Sequence, residues 1–134
     1  MTERHPIGVL DTCAYIDLGD LEPAVLPVRV RLTAVTMAEL QQGVAMAKDP
    51  VARAARVERL ADALSAFDPM PFDGAAAARY GTLVSLIIAA DRDPRPRRLD
   101  LMIAAIASAE GLPLYTRNVA DFKGLDRHLT VVPV

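Results

Sequence analysis

The sequence predicts a three-layer α/β/α domain in which helices cover both faces of a central parallel sheet of four to five strands. Two observations carry that expectation. Short apolar runs rich in branched residues alternate along the chain with stretches of helical period, the order that generates a parallel sheet. The length of 134 residues is that of one domain, and 52% hydrophobic against 24% charged residues is enough to close a core and to exclude wholesale disorder. Residues 1–134 are therefore expected to form a single domain.

Ile7-Gly8-Val9-Leu10 is a short apolar run stopped by Asp11, and it fits a buried parallel strand. Thr12 to Leu18 follows as a short helix, and Gly19 to Pro27 as a turn-rich connection. Arg31 to Val35 predicts the second strand. Thr36 then stands as an N-cap with Glu39 three residues on, the capping-box spacing, so a helix is expected from Met37 to about Ala47. Lys48-Asp49-Pro50 interrupts the pattern, and Val57, Leu60, Leu64 and Phe67 restore helical spacing over Val51 to Phe67. Asp68 to Phe72 contains Pro69 and Pro71 and predicts an edge strand at best. Asp73 caps a helix from Gly74 to about Ala90, and Asp91 to Arg98 is a Pro/Arg loop. Leu99 to Glu110 is a nearly all-apolar helix stopped by Gly111. Leu112 to Thr116 reads as a strand, Val119 to Phe122 as a turn of helix and Thr130 to Val132 as the last strand.

Composition narrows the function classes. Aromatic residues are 4% of the chain with no Trp, which disfavours a base-stacking surface for single strands. The net charge of -2 and pI near 5.6 lack the basic footprint of an ordinary nucleic-acid binder. The single cysteine, Cys13, excludes a disulfide framework and a Cys-rich metal site, and it suits a reducing compartment. Met1 to Pro6 carries Glu3 and Pro6 and does not read as a signal peptide, and the longest near-apolar stretch, Leu83 to Ala90, is too short to span a bilayer. A soluble cytoplasmic protein with no membrane role is expected.

Four of the 17 acids stand apart from the rest. Asp11 closes an apolar strand at its carboxyl end, where open α/β sheets bind ligands, although the same residue can cap the segment that follows. Glu39 has Val35, Thr36, Gln42 and Gly43 as helical neighbours, none of them basic, so its carboxylate is either half of the capping box or a ligand. Asp100 has Ile103, Ala104 and Ala107 on its face. A carboxylate on an apolar face must be paired, neutralised or bound to a metal, and Arg97 and Arg98 are the candidate partners. Asp121 lies three residues after Asn118, hence beside it on one turn, where a plain Asn/Asp turn is the competing reading.

If Asp11 and Thr116 end adjacent parallel strands while Glu39 and Asp100 open helices on the same edge, all four acids converge. Clustered carboxylates repel one another unless a divalent cation offsets them, and hard Mg2+ or Mn2+ prefers such oxygen ligands while retaining water. The implied chemistry is metal-assisted phosphodiester hydrolysis. The metal would then provide the positive charge that an acidic protein lacks toward a polyanion. Setting the four aside leaves 13 acids against 15 bases, a mildly basic remainder.

The order of these residues is recognisable. Val9-Leu10-Asp11-Thr12, Met37-Ala38-Glu39-Leu40, Arg98-Leu99-Asp100-Leu101-Met102-Ile103-Ala104-Ala105 and Thr116-Arg117-Asn118-Val119-Ala120-Asp121-Phe122 together resemble the PIN-domain ribonucleases. More narrowly they resemble VapC-type toxins of bacterial toxin–antitoxin pairs, over nearly the whole chain in order and spacing. The resemblance implies a PIN-like fold, an endoribonuclease dependent on Mg2+ or Mn2+, an RNA substrate, and inhibition by a small cognate antitoxin. It also implies that Asp11, Glu39, Asp100 and Asp121 form the acidic catalytic and metal-binding quartet. Thr12, Thr116 and Asn118 are its supporting polar residues.

Of the 15 basic residues, Lys48 and Lys123 are the lysines and the rest are Arg. Arg95, Arg97, Arg98 and Arg117 flank the acids and are candidate phosphate contacts; a solvated loop with Arg97 or Arg98 paired to a site carboxylate is the alternative. Arg53, Arg56 and Arg59 read as a solvated helix face. The Ala- and Leu-rich faces of Val51 to Phe67 and Gly74 to Ala90 suit burial against a second copy, making a homodimer, and against an antitoxin helix, although core packing accounts for most of those residues. Three rivals remain. A phosphatase with a nucleophilic Asp after the first strand wants a second Asp where Cys13 stands. A phospho-receiver domain wants a Lys where Thr116-Arg117 stands. A PIN-like module that binds without catalysis would need no intact quartet.

Overall fold

A computed structural model describes residues 4–134; Met1 to Glu3, part of the segment weighed as a leader, lie outside the described residues. β1 (Ile7–Leu10), β2 (Arg29–Arg31), β3 (Leu114–Thr116) and β4 (Val131–Pro133) form one four-stranded sheet in the order β2-β1-β3-β4, and every pairing is parallel. Five α-helices connect them: α1 (Thr12–Ile16), α2 (Ala34–Ala45), α3 (Pro50–Ala66), α4 (Gly74–Ala89) and α5 (Arg98–Ala109).

Strand alternation sorts the core into two layers. Val9 and Leu114, opposite each other in the ladder, pack with the buried faces of α4 and α5, including Leu83, Ile87, Leu101, Ile103 and Ile106. Leu10 and Tyr115, one residue on, point the other way and pack with Ala14, Leu40, Leu60 and Ala63 of α1, α2 and α3. The expected α/β/α sandwich is therefore present. Gly8 shares the second face: a Cβ there would stand 2.5 Å from Cε1 of Tyr115, so the missing side chain lets the ring cross the strand.

Two expectations near β2 need correction. The strand ends at Arg31 instead of reaching Val35, and Thr33, not Thr36, is the N-cap of α2. Thr33 accepts from the Thr36 amide at 3.1 Å, which places Glu39 in the middle of α2 and removes the capping box. Thr33-Ala34-Val35-Thr36 offers two cap positions three residues apart, and its branched residues also favour a strand reading. Backbone contacts from a distant segment decide between them, because Met70 donates to the Leu32 carbonyl and accepts from the Ala34 amide. That pairing is all that remains of the edge strand expected at Asp68 to Phe72: a single parallel bridge, Thr33 to Met70, flanked by the two prolines.

The remaining boundaries fall close to the pattern. Asp49 caps α3 with Pro50 in its first turn, and Asp73 caps α4 through the Ala76 amide at 2.9 Å. α4 closes with Asp91 at φ 60, a left-handed conformation that Asp tolerates, and α5 closes before Gly111 at φ +68. Arg56 and Arg53, expected as solvated surface, reach across to the carbonyls of Gly43 and Ala47 and tie α3 to α2. The apolar faces of α3 and α4 are only partly used in the core, for Val57, Leu64 and Ile88 stay about half exposed. No helix among the described residues is long and apolar enough to cross a membrane.

Candidate active site

The parallel pairing of β1 with β3 brings the first and last acidic segments together. Asp11 donates its amide to the Tyr115 carbonyl at 3.1 Å, which sets it beside Thr116 at the carboxyl edge of the sheet. Asp11 is only 4% exposed, and its Oδ1 accepts from the Ala14 amide at 2.8 Å. The capping role weighed as an alternative is thus real, but it engages one carboxylate oxygen. Thr116 is fully buried and accepts from the Asn118 amide at 3.0 Å, shaping the turn that leads to Asp121 in a 3-10 segment, Val119–Phe122. The Asn118 side chain itself makes no cap hydrogen bond. Asp100 lies in the first turn of α5, where the helix dipole favours an anion.

The four acids lie near enough for their charges to act on one another. Asp100 is pushed up to about 6, first by burial, then by repulsion from Glu39, Asp11 and Asp121, with Arg97 opposing. Burial also raises the Asp11 carboxyl; hydrogen bonds from Thr116 and Ala14 oppose the rise, while the charges of Asp121 and Asp17 add to it. The exposed Cys13 thiol, one residue past Thr12, is raised by partial burial and then by Asp11, Asp100, Glu39 and Asp17. No group of three or more His, Cys, Asp or Glu side chains among the described residues is gathered tightly enough to enclose an ion. The chemistry of the set nevertheless suits a hard divalent cation: the donors it would offer are carboxylate oxygens, one ion pair offsets their charge, and Mg2+ keeps several waters while using one or two protein carboxylates.

A hydroxyl chain orients Glu39. Thr12 Oγ1 donates to Glu39 Oε1 at 2.7 Å and lies 3.0 Å from Thr36 Oγ1. Because Thr12 has a single hydroxyl proton, Thr36 must be the donor to Thr12. Thr36, a candidate cap by sequence, enters the site because it lies one turn before Glu39 on α2. Thr12→Val, which keeps the shape and removes this chain, is expected to cost about 1–2 kcal/mol of stability, measured by denaturant unfolding. It should also lower the activity through a mobile Glu39. Asp17, one turn beyond Cys13 and acting on Asp11, had no signal in the sequence.

The four candidate phosphate arginines divide into different roles. Arg95 is stapled to Asp93 at 3.0 Å, Arg97 pairs with Asp121 at 2.8 Å and Arg117 with Asp17 at 3.2 Å. Arg98 makes no side-chain hydrogen bond or ion pair among the described residues. It lines a cleft of about 260 Å³ with Glu39, Arg95, Pro96, Leu99 and Asp100. A larger cavity of about 430 Å³ lies at Tyr115, Leu26 and Val132 and contains none of the four acids.

A parallel sheet with helices on both faces and a carboxylate quartet at its carboxyl edge defines a PIN-like nuclease domain. Ribonuclease VapC5 from Mycobacterium tuberculosis is 38% identical to this chain over 129 residues, 94% of this chain and 93% of that protein. The crystal structure of a member of the VapBC family of toxin-antitoxin systems, VapBC-5 from the same organism, is similar at a TM-score of 0.85 and 34% identity, covering 96% of this chain and 99% of that one. FitAcB from Neisseria gonorrhoeae is similar at a TM-score of 0.71 and 28% identity, covering 94% and 96%. No family model matches the chain. The chain belongs to the VapC ribonuclease family.

Proposed function

We propose that this chain, acting as one domain over residues 1–134, is an endoribonuclease dependent on Mg2+ or Mn2+ and serves as the toxin of a cytoplasmic toxin–antitoxin pair. The observation that carries the reading is the placement of four acids at one edge of the sheet: Asp11 at the end of β1 beside Thr116, Glu39 held by the Thr12 hydroxyl, Asp100 in the first turn of α5, and Asp121 just beyond β3. Four carboxylates at one sheet edge are a costly arrangement that a divalent cation would relieve. Asp11 and Asp100 would be the principal ligands, with Glu39 and Asp121 completing the set. A bound cation supplies Lewis-acid polarisation of water and of phosphate oxygens. Around it, the hydroxyls of Thr12 and Thr36 hold Glu39, Thr116 sets the Asn118 turn, and Arg98 offers its guanidinium to a backbone phosphate in the cleft.

The VapBC relatives are toxin–antitoxin complexes, and the half-exposed Val57, Leu64 and Ile88 support a small antitoxin protein and a second copy of this chain as partners. Purified protein with labelled RNA and Mn2+ or Mg2+ should give internal cleavage that EDTA abolishes and added cation restores. Asp11→Asn, prepared identically to control for contaminating nuclease, should not cut. Equal cleavage by both proteins would sink the reading in favour of a non-catalytic binding module.

A further inference from the structure

We propose that Arg97 is the internal counter-cation of the acidic site, occupying Asp121 until a divalent cation displaces it. It would thereby raise the cation concentration at which the site fills. This rests on the metal-dependent reading above and concerns a residue that a list of ligands would leave out. The Arg97 Nη1 to Asp121 Oδ2 contact, at 2.8 Å, is the one ion pair among the described residues made by a member of the acidic quartet. The same guanidinium also acts on Asp100, opposing the repulsion from the other acids. Arg97 thus already offsets, with one charge, the repulsion that a dication would offset with two.

The pair is built to be exchanged. The Asp121 backbone is held without Arg97: its amide donates to the Asn118 carbonyl at 3.0 Å, and Arg92 reaches the carbonyls of Asp121 and Lys123 at 3.5 and 3.2 Å. Arg97 stands on a short 3-10 segment, Arg95–Arg97, whose preceding turn is fixed separately by the Arg95 pair with Asp93. The Arg97 side chain is 44% exposed, so water is at hand to receive the guanidinium when it leaves, whereas Asp121 is 16% exposed and stays in the site. One carboxylate cannot hold both cations at full strength, because their like charges repel at close range.

Direct Mn2+ binding tests this, read as the loss of the free-Mn2+ electron paramagnetic resonance signal on titrating the full chain. Arg97→Ala and Arg97→Gln are both expected to lower the Mn2+ Kd about fivefold, about 1 kcal/mol at 1.4 kcal/mol per decade. Arg97→Lys, which keeps the charge, should stay within about twofold of wild type. Arg98→Ala removes an equal charge from the cleft lining without touching Asp121 and should change the Kd less than about twofold. In an Asp121→Asn background the gain from Arg97→Ala should shrink. Unchanged or weaker binding by both Arg97 variants, or an equal gain from Arg98→Ala, overturns the counter-cation role while leaving the metal site intact. Wild-type protein that binds no Mn2+ overturns the metal reading as well, and so the two failures are distinguishable.

Discussion

Replacing Asp100 with asparagine is expected to stabilise the cation-free protein at neutral pH while lowering RNA cleavage by at least about a hundredfold, the scale on which removing a charge-stabilising group acts. Both effects have one origin. In the folded chain Asp100 titrates near 6, raised by burial and by the neighbouring carboxylates, against about 3.9 in an unfolded chain. Between those values the folded state binds more protons than the unfolded one. Stability therefore falls as pH rises from about 4 to about 6 and is flat above. The loss should be about 1–2 kcal/mol once solvent screening of this half-buried group is allowed for. Denaturant unfolding in EDTA across this window should show that extra decline in wild type and not in Asp100→Asn. With Mn2+ present the order reverses: wild type gains stability by mass action as its carboxylates ionise, and the variant gains little. Identical pH slopes for the two proteins would remove Asp100 as the seat of the repulsion.

The legible parts of this fold were those written in local patterns. Ile7 to Leu10 announced a buried strand because four apolar residues end at an acid, and Asp73 and Gly111 marked helix ends through chemistry that acts within a few residues. The four acids stood out as candidates, despite the local capping and pairing roles open to each, because their order along the chain resembles that of the PIN-domain ribonucleases. What stayed hidden depended on segments far apart in sequence. Whether Thr33 or Thr36 capped α2 was decided by Met70, and Thr36 entered the site through Thr12. Arg95, Arg97, Arg98 and Arg117 looked equivalent as a basic cluster, yet partners at Asp93, Asp121 and Asp17 separate three of them from Arg98. The acidic net charge shows the same limit. It counted against a nucleic-acid role until position showed four acids gathered at one edge of the sheet, Asp11 buried and the other three partly buried.

Leu101→Ala is expected to be the most destabilising single truncation next to the site, at about 2–5 kcal/mol. Leu101 follows Asp100 directly and lies about 100° further round the helix, turned into the core. It is fully buried among Val9, Leu83, Ile103 and Leu114, in the layer where α5 packs on α4 and on the sheet. A helix that must present a carboxylate to the cleft while its next residue enters the core has its rotation fixed by that core residue. Removing the Leu101 side chain leaves a cavity that flanking branched residues and the sheet cannot easily fill. Leu99→Ala, one position before Asp100 and 43% exposed, provides the comparison and should cost under about 1 kcal/mol. In urea the Leu101 variant should show a lower midpoint with an unchanged slope, the pattern of lost stability without altered denatured-state compactness. A midpoint equal to wild type would mean that Leu101 is not what fixes the rotation of α5, and the orientation of Asp100 would then depend on its dipole position and on Arg97 alone.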